Sequence, residues 1–116
     1  MGEHMQRLIQ ATRCSLTGLR QAFKDEAAFR LEVYLAVVLI PLAVWLGGDG
    51  VERALLIGSI GLVMITELLN TGVESAIDRF GPEVHPMSAK AKDVGSAAVF
   101  VSIAVAVLVW LVILIP

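Results

Sequence analysis

The sequence predicts an all-α membrane protein, with three transmembrane helices preceded by an amphipathic surface helix, and three observations carry that prediction. Of the 116 residues, 57% are hydrophobic and only 17% are charged, against roughly 25% in a soluble domain. The mean hydropathy is +0.79, and with aromatics at 6% the apolar mass is aliphatic and falls in long blocks, as membrane-spanning helices are written. The punctuation between blocks is short: Gly47, Gly48, Asp49 and Gly50 after the first, then Gly81, Pro82, His85 and Pro86 after the second. No linker is present, so residues 1–116 read as one integral-membrane domain.

The surface helix is expected over about residues 5–23. At helical spacing Met5, Leu8, Ile9, Leu16, Leu19 and Phe23 fall in one arc of about 100°, with Gln6, Gln10, Thr17 and Gln21 opposite. Arg13 and Arg20 flank the apolar arc, where their stems can lie along lipid while the guanidinium groups meet headgroups or phosphates. A helix packed on a soluble partner is the alternative. The first span is expected over about 29–46, since Val33 to Gly48 carries no charge; Arg30 and Glu32 sit at an interface, and Pro41 can kink the helix without ending it. The second runs over about 54–77 and the third over about 94–115, from Val94 to Pro116 without a charged residue.

Orientation follows from the nine Lys and Arg residues. Arg7, Arg13, Arg20, Lys24 and Arg30 precede the first span, and Arg79, Lys90 and Lys92 lie in the second connection. Only Arg53 lies in the first connection, which places the N-terminus in the cytoplasm and the C-terminus outside. No cleavable signal peptide is expected, because the N-terminal segment lacks a continuous apolar core. The net charge of −2 offers no basic field for a nucleic-acid backbone. Cys14, the one cysteine, allows no intrachain disulfide and reads as a plain small residue.

The second span contains the chemistry. Glu67, Asn70, Glu74 and Asp78 are separated by three, four and four residues and project within an arc of about 80°. A charge at mid-membrane costs about 2.5 to 3.5 kcal/mol on insertion scales, so these carboxylates must face other helices, water or cations. They can serve a metal–phosphate complex, a proton relay, or acid/base work on a substrate hydroxyl. Interhelical hydrogen bonding by Asn70 and a protonated Glu is the structural alternative. Lys90, Lys92 and Asp93, just before the third span, suit phosphate and magnesium, yet the lysines also fit the positive-inside bias and Asp93 fits a helix N-cap or first turn. Asp25 and Glu26 can merely cap the first span, and His85 can be a turn residue. No nucleotide-binding signature such as GxxxxGK[ST] or GxGxxG is present. Small residues, among them Gly58, Gly61, Ala97 and Ala98, permit close helix contacts, and three helices bury little of a polar face alone, so an oligomer is expected.

Three stretches, DEAAFRLE at 25–32, ELLNTGVESAIDR at 67–79 and AKAKDVGSAAV at 89–99, together resemble the small bacterial integral-membrane diacylglycerol kinases. The resemblance covers nearly the whole chain. It implies a homotrimeric helical bundle in the bacterial inner membrane that uses ATP and magnesium to phosphorylate the hydroxyl of diacylglycerol, giving phosphatidic acid. By motif, Glu67 matches the catalytic base and Asn70 a residue that positions the reacting groups. Glu26 and Glu74 match magnesium ligands at the ATP site, and Lys92 with Asp93 matches a nucleotide-contacting pair. Glu83, Val84 and His85 fall where the cytoplasmic loop meets ATP. Arg7 and Cys14 match positions near the nucleotide, Cys14 standing where an aromatic is frequent. Glu32, Ser96 and Trp110 match positions lining the nucleotide or lipid site, and Arg20, Arg30 and Arg53 join the candidate lipid contacts.

A related branch phosphorylates undecaprenol and shares the Glu–Asn–Glu core, so that core alone does not name the lipid; DEAAFRLE and KDVGSAAV favour diacylglycerol. A non-enzymatic proton or ion pathway around Glu67 and Glu74 is the third reading, and it gives no reason for Glu26 and the Lys92–Asp93 pair to accompany them.

Overall fold

A computed structural model describes residues 1–81 and 85–116. Among these the chain forms four helices and no strand: α1 (Gly2–Asp25), α2 (Ala27–Leu46), α3 (Gly50–Asp78) and α4 (Pro86–Leu114). Helix α3 is the common element, packed against α2 on one side and α4 on the other. The result is a slab of 51 × 45 × 23 Å.

Helix α1 runs unbroken through Gly18, and of its side chains only Ala22 is buried. Met5, Leu8, Ile9, Leu16, Leu19 and Phe23 are all exposed. A single extended residue, Glu26 (φ −112°, ψ 107°), separates α1 from α2. Arg30 fixes this joint. Its guanidinium donates to the carbonyls of Phe23 and Lys24 at 2.8 and 2.9 Å, satisfying acceptors that the end of α1 leaves without an intrahelical partner. Phe23 also meets Tyr34 edge-on, with ring centroids 5.8 Å apart.

Helix α2 continues past Pro41 to Leu46. Its buried residues, Phe29, Ala36 and Ala43, recur every seven positions, so two alanines let its backbone approach α3 closely. On α3 the buried set is Leu56, Ser59, Val63, Glu67 and Asn70, a stripe at helical spacing that starts apolar and ends polar. Helix α4 buries Ser102 and Ala106. Across the α3–α4 seam Trp110 donates its indole N–H to the Ser59 hydroxyl at 3.1 Å.

Two helix starts differ by four residues or more from the sequence expectation. Helix α3 begins at Gly50, four residues early, because Asp49 caps it: the Asp49 carboxylate accepts from the Glu52 N–H at 2.8 Å, and Glu52 accepts from the Gly48 N–H at 2.9 Å. This reciprocal pair is a close variant of the capping box. Helix α4 begins at Pro86, eight residues early, with His85 Nδ1 accepting from the Met87 N–H at 3.1 Å. His85 is therefore a cap, and Asp93 is not one. Lys90, Lys92 and Asp93 ride on the first turns of α4 instead of in a connection.

Three helices, Ala27–Leu46, Gly50–Asp78 and Pro86–Leu114, are long and apolar enough to cross a membrane. Large apolar side chains such as Trp45, Phe100 and Val112 stand exposed along them, as lipid-facing positions do, and the protein is a multi-pass membrane protein. At 29 residues each, α3 and α4 are about 44 Å long, well beyond a hydrocarbon core of about 30 Å. Their surplus length answers the difficulty of placing Glu67: the second span can extend past the core and carry its polar end into wetter surroundings.

Candidate active site

The polar end of α3 is where chemistry-bearing side chains gather. Glu67 is 8% and Asn70 9% exposed, so both are taken from solvent. Asn70 Nδ2 donates to Glu74 Oε1 at 3.2 Å, one turn further along α3, which turns the amide hydrogens toward the carboxylate. The Asn70 carbonyl oxygen is buried and has no hydrogen-bond partner among the described residues. One turn beyond Glu74, Asp78 pairs with Lys92 of α4 at 2.6 Å, and both side chains remain well exposed. The acidic stripe thus ends in a cation supplied by the neighbouring helix.

Glu32, from α2, comes to the other side of Glu67. Both line the same groove between α2, α3 and α4. Glu67 is buried and Glu32 half-buried, and neighbouring carboxyl groups on two helices repel unless a proton or a cation lies between them, so the pair is suited to share a proton or to meet a cation. Glu32 Oε1 is buried without a hydrogen-bond partner among the described residues.

Grooves open beside this cluster, among them one of about 460 Å³ between α3 and α4 lined by Asn70, Lys90 and Gly95, and two others. One, of about 620 Å³, runs between α2, α3 and α4 with Glu32 and Glu67 at one end and Trp110 toward the other, its walls formed by residues such as Leu35, Val63 and Ile103. An acyl chain fits such a slot by chemistry. The other, of about 730 Å³, lies between α1 and α3 and is lined by Ser15, Gly18, Asp25, Glu26, Thr71 and Ser75. Glu26 makes no side-chain capping bond at the start of α2, so its carboxylate is free for another task.

Glu32, Glu67, Asn70 and Glu74 therefore lie along one end of α3, with Glu26 in the adjoining groove between α1 and α3 and Lys92 held by Asp78 one turn beyond Glu74. Among the described residues no group of three or more His, Cys, Asp or Glu converges as a metal site by itself. Magnesium does not require one, since it is usually held by one or two carboxylates with the remaining positions filled by phosphates and water; Glu26 and Glu74 meet that requirement in donor type.

The other candidates are not gathered here. Arg7 and Cys14 are exposed on α1, 19 and 12 residues before Glu26, or about 28 and 18 Å along an ideal helix. Arg20 is exposed on the same helix, and Ser96 on α4. Arg30 is engaged by the α1 carbonyls. Arg53 lies about 21 Å from Glu67 along α3, where its Nε donates to the Val44 carbonyl at 3.0 Å and closes the end of α2. Asp93 is exposed, His85 caps α4, and Glu83 and Val84 lie outside the described residues. The Asp78–Lys92 pair was not legible in advance; the register of α4, set by the His85–Pro86 start, was the missing signal.

Residues 13–114 match the family model described as prokaryotic diacylglycerol kinase. The diacylglycerol kinase of Haemophilus influenzae is 50% identical over 103 residues, spanning 89% of this chain and 87% of that protein. That of Escherichia coli K12 is 47% identical over 108 residues, 93% and 88% of the two chains. That of Pseudomonas aeruginosa is 48% identical over 110 residues, 95% and 89%. With a fold of three membrane-spanning helices and an acidic cluster placed on the matching stretches, the chain belongs to the prokaryotic diacylglycerol kinase family.

Proposed function

We propose that the protein is an ATP-dependent diacylglycerol kinase that transfers the γ-phosphoryl group to the free hydroxyl of diacylglycerol, releasing ADP and phosphatidic acid. The observation that carries this reading is the position of Glu67, a buried carboxylate at the junction of an apolar slot and a polar cluster containing Glu74 and Lys92. The acyl chains occupy the slot, and the glycerol end meets Glu67. As the hydroxyl oxygen forms its bond to the γ-phosphorus and the bond to the β-phosphate oxygen breaks, Glu67 takes the hydroxyl proton and later returns it to solvent. Glu32 lies beside Glu67 and contacts the same lipid end.

Glu26 and Glu74 would hold magnesium together with the nucleotide phosphates, and the ion would supply charge neutralisation at the transferring group. Asn70 steadies Glu74. Lys92 leaves Asp78 to meet phosphate, and Asp93, His85, Glu83 and Val84 contact the rest of the nucleotide. Arg7 and Cys14 on α1 contact the nucleotide further from its phosphates, and the reading takes the protein as a homotrimer. Ser96, Trp110 and the arginines Arg20, Arg30 and Arg53 contact lipid, the last two in addition to their helix-end bonds. Residues 1–116 form one kinase domain with α1 on the membrane surface. The Lys and Arg distribution puts the N-terminus and the site on the cytoplasmic side of the bacterial inner membrane, with the C-terminus outside.

The test is ATP-dependent phosphate incorporation by the purified protein in mixed micelles, offering diacylglycerol and undecaprenol together with magnesium present or chelated. Magnesium-dependent phosphatidic acid as the dominant product is expected. Undecaprenyl phosphate in its place would reassign the lipid, and product formation unaffected by chelation would remove the metal from the reading.

A further inference from the structure

Gly95 sits on α4 directly opposite Asn70. A Cβ built on Gly95 would run into the Asn70 carbonyl oxygen, while Asn70 Cγ, at 3.4 Å, and Cβ, at 4.0 Å, stay at ordinary contact distance. The obstruction is thus confined to one atom, and that atom is the buried amide oxygen to which none of the described residues donates a hydrogen bond. The same amide uses its nitrogen on Glu74 Oε1. An amide has one rotation that serves both ends: with the oxygen lodged against the bare Cα of Gly95, the NH2 group points at Glu74.

We propose that Gly95 is a positioning residue for the phosphotransfer site, its missing side chain forming the notch that fixes the Asn70 amide and, through it, the Glu74 carboxylate. The inference rests on the reading that Glu74 serves the magnesium nucleotide. A helix-packing role is a different matter. Tight glycine packing ordinarily sets one backbone against another, and an added methyl then drives the helices apart. Here the first atom met is the end of a side chain that can rotate away. An alanine at position 95 therefore costs the fold little, and alanine is the better helix former. What it displaces is the pose of Asn70, leaving Glu74 without its donor.

Fold and function should therefore separate in Gly95→Ala. The experiment compares wild type, Gly95→Ala, Asn70→Ala and the double variant in diacylglycerol mixed micelles, reading kcat, KM for magnesium ATP, and the midpoint of thermal unfolding; binding of a fluorescent ATP analogue with magnesium is titrated in parallel. Gly95→Ala is expected to keep the wild-type midpoint or exceed it, while kcat/KM for magnesium ATP and analogue affinity fall by about 10- to 100-fold, the usual loss when the partner orienting a ligand is disturbed. On the Asn70→Ala background the Gly95→Ala change should add nothing, since the atom it obstructs is gone. Wild-type kinetics in Gly95→Ala alongside an impaired Asn70→Ala, a fall in midpoint that parallels the activity loss, or losses that multiply in the double variant would each overturn the positioning role. Wild-type kinetics and nucleotide affinity in Asn70→Ala would overturn the site reading beneath it.

Discussion

Trp110 and Ser59, 51 residues apart in sequence, are joined by an indole N–H bond to a buried hydroxyl at 3.1 Å. The Ser59 hydroxyl in turn donates to the Leu56 carbonyl at 2.8 Å, so its donor and one acceptor site are both used. This bond locks α3 to α4 on the side of the slot away from the carboxylates. Trp110→Phe keeps an aromatic ring, though a smaller one, and removes the donor, and should lower stability by at least about 0.6 kcal/mol, the average for interhelical hydrogen bonds in membranes. Unfolding in mixed micelles measures this, and an unchanged midpoint would show that the bond contributes nothing.

Glu67→Gln changes shape little but cannot accept a proton at neutral pH. Transfer to diacylglycerol should fall by about 10²- to 10⁴-fold while ATP binding and the folded state persist. Steady-state kinetics with a nucleotide-binding titration checks both halves. Wild-type turnover would return Glu67 to a structural role.

Glu74→Gln should act on the nucleotide side. On the proposed reading, in which Glu74 is a magnesium ligand, its loss should weaken apparent magnesium affinity by at least about tenfold, with a smaller effect on KM for the lipid. Activity titrated against free magnesium at fixed ATP distinguishes the two effects.

Lys92 is paired with Asp78 at 2.6 Å. Because both side chains are well exposed, solvent screens the pair, and its rupture should leave thermal stability nearly unchanged. Asp78→Asn frees the ammonium and should lower KM for ATP, by about fivefold at most, the ceiling for an exposed pair. A raised KM would mean that Asp78 itself serves the nucleotide.

Arg30→Ala removes two bonds from the end of α1 and should loosen the joint at Glu26 without unfolding α2. Cys14 is exposed and is the protein's one cysteine, so a spin label there reports α1 mobility directly. Faster label motion in Arg30→Ala is expected. An unaltered spectrum would place the restraint on α1 elsewhere.

Much of this was legible in the linear sequence because it depends on period and composition. The spans follow from uncharged runs long enough to cross, and the Glu67–Asn70–Glu74–Asp78 face follows from spacing alone. Asp49 and Glu52 carried a legible start signal for α3 that the surrounding glycines obscured. The start of α4 was also written, as Pro86 at the first helical position after His85, but the charges at Lys90, Lys92 and Asp93 resembled a connection. The tasks of Arg30 and Arg53 were not readable at all: their partners are main-chain carbonyls, which carry no residue identity and become neighbours only once helices meet at particular angles. Gly95 was silent for a related reason, since a missing side chain matters only when something occupies the space.

Helix α2, at 20 residues and about 30 Å, matches the hydrocarbon thickness of an average bilayer, whereas α3 and α4 exceed it. The joint at Glu26 immediately precedes α2, so bilayer thickness sets the depth at which Glu26 rides. A thicker bilayer must thin locally or draw Glu26 and the first turn of α2 inward, each at a modest cost per ångström. The long helices have spare turns and tolerate the same change by sliding. Lipid chain length therefore acts as a ruler on the vertical offset between Glu26 and the acidic face of α3, and turnover should depend on the thickness of the membrane in which the protein is reconstituted.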